Sequence, residues 1–233
     1  MTPTKEAPQK QSTEFKTADR AHTSFLAAAE KRTLIWIAKR LPDWVNSDHL
    51  TGLGFVSLIL AGASYWYARS NARALLLVIP FLALNWFGDS LDGTLARVRN
   101  RQRPRYGFYV DHILDALGMS FLMAGMALSG FMSPLVAGTF LIFYLLLSIE
   151  IYLATYTIGT FHLSYWRFGP TELRILLVIG NLFALWRPHA LIAGQEFLLF
   201  DVGFAVGTAA LAVILVQATT KHIAMLYREE NRP

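Results

Sequence analysis

"GDSLDGTLARVRNRQRPRYGFYVDHILDALG", residues 88–118, is the stretch on which the fold turns. It carries four aspartates, Asp89, Asp92, Asp111 and Asp115, with five arginines between the second and third. The sequence on either side is strongly apolar. Asp89 and Asp92 are three residues apart and Asp111 and Asp115 four apart, spacings that put each pair on one face of a helix. The short connection between the pairs makes the two helices antiparallel neighbours. Four carboxylates then converge, and unpaired they repel one another and resist desolvation. Divalent cations resolve that conflict, and an all-oxygen donor set suits magnesium, manganese or calcium.

The flanking sequence supplies the setting. Of the 233 residues, 54% are hydrophobic and 16% charged, an oilier balance than a soluble chain shows. The absence of cysteine excludes disulfides, thiolate metal sites and a cysteine nucleophile. The net charge of +5 reads as loops facing anionic lipid, with no nucleic-acid partner. Six apolar stretches approach the ~20 residues needed to cross a bilayer. They run roughly over 50–68, 74–96, 107–131, 133–158, 172–187 and 198–220, and the fifth is short. The expected fold is therefore an all-α integral membrane protein with six transmembrane helices and an N-terminal amphipathic juxtamembrane helix.

Basic residues orient it. With the N-terminus inside, eighteen of the 21 lysines and arginines fall on the inner side, and Arg69, Arg73 and Arg187 fall outside. Both termini are then cytoplasmic, and the aspartates lie at the inner membrane boundary. Residues 1–21 read as a disordered cytoplasmic tail without a cleavable signal pattern. Residues 22–45 read as the interfacial helix, with Leu26, Ala29, Thr33, Ile37 and Leu41 on one face and Lys31, Arg32 and Lys39 opposite. Packing of that helix against another part of the protein is the alternative. Residues 46–221 form the six-helix domain and 222–233 a second cytoplasmic tail.

Small residues beside the acids suit a bulky ligand. Gly93 follows Asp89 by one turn, Ala96 follows Asp92, and Gly107 precedes Asp111. Arg97 extends the Asp89–Gly93 stripe, where a guanidinium grips phosphate with its planar fork. Carboxylates, divalent metals, an arginine and space read as phosphoryl-transfer chemistry. Interfacial pairing of the aspartates with Arg97, Arg99, Arg101, Arg103 and Arg105 is the plainer alternative. The last four arginines read as boundary charges without individual roles. Two rivals of other classes are a divalent-cation transporter and a membrane scaffold. Neither the internal repeats nor the broken helices common in transporters are visible.

Asp89-x-x-Asp92-Gly93-x-x-Ala96-Arg97, nine residues, then Gly107-x-x-x-Asp111-x-x-x-Asp115 resembles the signature of the CDP-alcohol phosphotransferases, with every fixed position filled. The resemblance implies a phospholipid-synthesis enzyme that passes a substituted phosphate from a CDP-alcohol to an alcohol and releases CMP. It implies two divalent metal ions, Mg2+ or Mn2+, held by Asp89, Asp92 and Asp111, with Asp115 also at the metals and acting as general base. His112 is the other candidate base. Gly93 and Arg97, with Asp89, match positions that hold the cytidine diphosphate. Asp48 and Thr51 match an upstream pair that helps bind the nucleotide, and Ser47 or Asp48 as a helix N-cap is the alternative reading. Family members are often homodimers. A bacterial inner membrane is the expected location.

The acceptor is less legible. In the larger bacterial branch, CDP-diacylglycerol is the donor and a polar alcohol the acceptor. The Asp111-His112 pair and the Thr171-Glu172 pair resemble the choline/ethanolamine branch, in which diacylglycerol accepts. Arg167, Arg174 and Lys221 are candidate cations for an acceptor phosphate, or boundary charges. Glu150 sits inside the fourth span at about the depth of Asp115, so it needs the cavity or a helix partner.

Overall fold

A computed structural model of the chain describes residues 27–158 and 170–230. Seven α-helices follow in order: α1 (Ala27–Ala38), α2 (Ser47–Ala68), α3 (Leu75–Val98), α4 (Pro104–Leu128), α5 (Pro134–Ile158), α6 (Pro170–Trp186) and α7 (Leu199–Glu229). Between α6 and α7 lies a hairpin of β1 (His189–Ile192) and β2 (Gln195–Leu198). Helices packed round a shared apolar interior bear out an all-α membrane fold. Five segments are long and apolar enough to cross a bilayer: Ser47–Ala68, Ala72–Val98, Pro104–Leu128, Pro134–Ile158 and Leu199–Glu229. The six-span count is not confirmed among the described residues, because α6 falls short. It has 17 residues, about 25 Å of helix at ~1.5 Å per residue, and it carries Glu172 and Arg174 in its opening turns.

α2 is the central helix, packed against both α3 and α4. α5 lies on α4, α6 on α3, and α7 touches α5 and α6, so the helices close a ring. The main core comes from α2, α3, α4, α5, α6 and α7, with Tyr65, Leu75, Val78, Leu122, Met126 and Phe204 buried in it. A smaller apolar cluster at the other end joins Leu34 and Ala38 of α1 to Val45, Leu50, Leu91 and Leu95.

That second cluster revises the reading of the N-terminal helix. Its described helix ends at Ala38, short of residue 45, and Pro42 disfavours helix just before it. Its buried face is Leu34 and Ala38, flanked by Ile37 and Leu41, and it packs on α3. The Trp86 indole donates to Glu30 Oε1 at 2.8 Å and fixes the contact. Trp36 and Trp44 stay exposed, and the Arg40 guanidinium lies over the Trp36 ring. Residues 1–21, His162 and Arg167 lie outside the described residues.

Local chemistry sets the remaining boundaries. Pro104 opens α4, where its fixed φ suits a first helical position and its missing N–H costs nothing. α7 runs to Glu229, through much of the stretch read as a tail; residues 221–229 contain no glycine or proline to stop it. The hairpin was not foreseen. Ala193 and Gly194 both take positive φ, 51° and 82°, in a two-residue turn between paired Ile192 and Gln195. Glycine suits that position, and alanine is a poor signal for it.

Two glycine contacts let α2 sit this close to its neighbours. A Cβ on Gly88 of α3 would lie 2.5 Å from the Leu50 carbonyl oxygen and 2.7 Å from the Gly54 nitrogen of α2. A Cβ on Gly125 of α4 would collide with the Gly62 carbonyl of α2. Both obstacles are backbone, so neither can move aside cheaply. Gly88→Ala and Gly125→Ala are each expected to cost about 1–3 kcal/mol, read as lowered thermal unfolding temperatures in detergent. Gly138→Ala, whose Cβ would meet nothing within 4 Å, should leave the temperature unchanged or slightly raised.

Candidate metal centre

The start of α2, the end of α3 and the start of α4 meet at one end of the bundle and enclose a cleft. α2 contributes Thr51, Gly54 and Phe55 to its wall, and α3 contributes Asn85, Asp89 and Asp92. α4 adds Asp111, Leu114 and Asp115. One carboxylate oxygen from each of Asp89, Asp111 and Asp115 lies within 4.8 Å of the other two. Helical spacing puts the acids on shared faces as expected, but α3 and α4 are not the directly packed neighbours the short loop suggested; each packs on α2, and that brings acids from two helices to a point. All three donors are hard oxygens, partly buried, and the set fits a magnesium- or manganese-type cation.

Asp92 lines the same cleft but stands outside that trio. Thr51 Oγ1 donates to its Oδ2 at 2.7 Å, and the Gly93 amide donates to its Oδ1. Ser47 Oγ reaches its carbonyl at 2.9 Å. The first turn of α2 thus orients Asp92 through neutral donors. Thr51 is drawn into the site as expected. Asp48 faces elsewhere, against the Arg103 guanidinium. The capping reading for Ser47 and Asp48 fails, because Asn46 is the N-cap. Its side chain accepts from the His49 amide at 2.9 Å, and His49 Nδ1 accepts from the Asn46 amide at 3.4 Å.

Arg174, one of the cations considered for an acceptor, enters from α6. One terminal nitrogen donates to Asp89 Oδ2 at 2.6 Å, and Nε donates to Asn85 Oδ1 at 2.8 Å. Asn85 in turn donates to the Gly54 carbonyl at 3.0 Å. Sequence reading missed Asn85. The signal was present: an amide side chain in an apolar span, one turn before Asp89. Arg97 folds back along α3, donating to Thr94 Oγ1 at 3.1 Å, with its guanidinium beside Gly93. Gly107 has open space where a side chain would stand.

Two loop arginines have partners of their own, against the reading of them as diffuse charge. Arg99 donates to the carbonyls of Val45, Leu41 and Pro42, the latter two at 2.7 and 3.0 Å. It ties the α1–α2 connection to the end of α3. Arg103 pairs with Asp48 and lies over the Tyr106 ring. The hydrogen bond to Asp48 raises the guanidinium pKa further above its ordinary value.

His112 Nδ1 lies 2.6 Å from the Phe108 carbonyl, to which it donates, and its ring stacks on Phe108. It does not line the cleft. Asp115 does. Glu150 finds its partner outside the cleft: its Oε1 is 2.5 Å from His222 Nδ1 of α7. Of the two readings for Glu150, contact with a neighbouring helix holds.

A cation bound by the native fold raises its unfolding temperature by mass action. Millimolar Mn2+ should therefore stabilise the purified protein. Asp89→Asn or Asp111→Asn should abolish the rise, and Glu196→Gln in the exposed hairpin should keep it. Thermal unfolding with and without Mn2+ reads this directly.

No curated protein matches the chain. The family model for CDP-alcohol phosphatidyltransferases matches residues 44–216, from just before α2 into α7. That match covers the whole cleft and most of the sequence, so the chain belongs to the CDP-alcohol phosphatidyltransferase family.

Proposed function

We propose that this protein transfers a phosphatidyl group from CDP-diacylglycerol to a polar alcohol, releasing CMP, at the cytoplasmic boundary of a bacterial inner membrane. The observation that carries the reading is the convergence of Asp89, Asp111 and Asp115 within 4.8 Å in a cleft shared by three helices. Phe55, Leu58 and Leu114 line the same cleft, so polar and apolar walls meet where a lipid-borne diphosphate has to sit. The basic residues concentrated on one side of the chain support the cytoplasmic placement.

Asp89, Asp111 and Asp115, with Asp92 beside them, would hold two divalent cations, Mg2+ or Mn2+. Bound there, the cations supply charge neutralisation of the diphosphate and of the departing CMP. The chain's own residues do the rest. Thr51 and the Gly93 amide fix the rotamer of Asp92. Arg97, whose guanidinium lies beside Gly93, would grip the diphosphate with its planar fork. Asp115 accepts the proton of the acceptor hydroxyl. That oxygen bonds to the phosphorus distal to cytidine, the bond from this phosphorus to the bridging oxygen breaks, and CMP leaves with the electron pair.

General-base loss typically costs ~10²–10⁴ in rate. Asp115→Asn keeps the side chain's size and one oxygen but cannot take the proton. It should retain CDP-diacylglycerol binding by calorimetry and lose turnover within that range in single-turnover CMP release. Loss of donor binding together with turnover would make Asp115 a ligand first. Full turnover would move the base elsewhere, with His112 the next residue to change. A cation transporter would bind Mn2+ yet release no CMP.

A further inference from the structure

Arg174 occupies a position that the proposed chemistry leaves unexplained. It comes from α6, far along the chain, yet its guanidinium is held at both ends by residues that line the cleft. One end rests on Asp89 Oδ2 at 2.6 Å and the other on Asn85 Oδ1 at 2.8 Å. Its side chain is 15% exposed and that of Asp89 26% exposed, so water screens the pair weakly. Asp89 is also one of the three carboxylates that fit a divalent cation. A cation drawn to Asp89, Asp111 and Asp115 meets a positive charge already hydrogen-bonded to one of its ligands.

The two contacts of Arg174 differ in kind. The bond to Asp89 is between charges, and a doubly charged ion competes with it directly. The bond to Asn85 is to a neutral amide oxygen, for which a divalent cation competes less strongly than for a carboxylate. Asn85 is anchored in turn by the Gly54 carbonyl at 3.0 Å. Loss of the Asp89 contact therefore leaves the guanidinium attached through Nε, one helical turn from the metal centre, with its terminal nitrogens unspent. A freed guanidinium fork at that point matches a phosphate oxygen pair.

We propose that Arg174 is a resident counter-ion of Asp89: a divalent cation displaces it, and the released guanidinium, still anchored on Asn85, becomes a ligand for a substrate phosphate group. The proposal rests on the metal-dependent phosphotransfer reading above. It makes cation entry and the exposure of a phosphate ligand one event, so the cleft presents its arginine only when metal is in place.

Mn2+ binding to the purified full-length protein without substrate, followed by electron paramagnetic resonance of the free ion, tests the first half. Arg174→Gln removes the competitor, and Mn2+ should bind roughly tenfold more tightly, a typical coupling between sites. Arg174→Lys keeps a positive charge and should stay near wild type. Size-exclusion profiles of both variants establish that they fold. Weaker Mn2+ binding in Arg174→Gln, restored in Arg174→Lys, would overturn the proposal, because Arg174 would then be orienting Asp89 as a supporting partner. Unchanged binding in Arg174→Gln would overturn it as well.

The second half is read on the Mn2+-loaded proteins with two probes, CDP and inorganic phosphate. Arg174→Gln should lose affinity for at least one of them. A loss confined to CDP assigns the arginine to the donor diphosphate, and a loss confined to inorganic phosphate assigns it to an acceptor phosphate. Equal affinity of wild type and Arg174→Gln for both probes would overturn the phosphate role. Failure of the wild type to bind Mn2+ at all would instead sink the metal-dependent reading on which this proposal stands.

Discussion

Repulsion among the carboxylates of Asp89, Asp111 and Asp115 sets the terms for everything around them. Their oxygens lie within 4.8 Å of one another, and two unit charges at that distance repel by about 3 kcal/mol at an effective dielectric of about 20. Three such pairs approach the whole net stability of a domain, ~5–15 kcal/mol. The fold holds them together by other means. α2 and α3 touch backbone to backbone through Gly54 and Gly88, and α2 and α4 through Gly62 and Gly125. That close packing makes the cleft narrow enough for acids from two helices to share one point. Arg174 offsets one of the three charges; the remaining excess is what a divalent cation is suited to neutralise.

The polar contacts around the cleft sort into two kinds. Thr51, Ser47 and the Gly93 amide are neutral donors, and they fix Asp92 without consuming its charge. Arg174 is a charged donor and competes for the charge of Asp89. Arg99 and Arg103 work further out, pinning the α1–α2 connection and the first turn of α2 to the ends of α3 and α4. α1 adds an apolar cover over the same end through Leu34 and Ala38. The cleft end is thus held by hydrogen bonds and ion pairs, and the opposite end by a larger apolar core around Tyr65 and Met126.

Much of this was legible in the sequence because it is local. Spacings of three and four within a helix are enough to put each pair of acids on one face, whereas α3 and α4 are brought together by packing on α2 rather than on each other. Long apolar runs are enough to place most of the spans. The remainder depends on contacts between distant residues, which periodicity does not encode. Nothing local says that Arg174 reaches Asp89, that Asn85 anchors it, or that Glu150 pairs with His222. Competition among adjacent polar residues hid the true N-cap, since Asn46, Ser47 and Asp48 all have capping chemistry. Asn46 takes the role because Ser47 and Asp48 are engaged by Asp92 and Arg103. The tight turn at Ala193-Gly194 was hidden for a different reason, as alanine seldom adopts the positive φ it has there.

On the proposed reading, three converging carboxylates make a cation-dependent site for cleaving a CDP-alcohol. The most direct test is the CMP released by purified protein given CDP-diacylglycerol and a pool of polar alcohols, with Mn2+ and then with excess chelator. CMP release should be matched one-to-one by a new phospholipid, stopped by the chelator and restored by added Mn2+. CMP release that continues undiminished in chelator, or Mn2+ binding with no CMP from any CDP-alcohol, would contradict it.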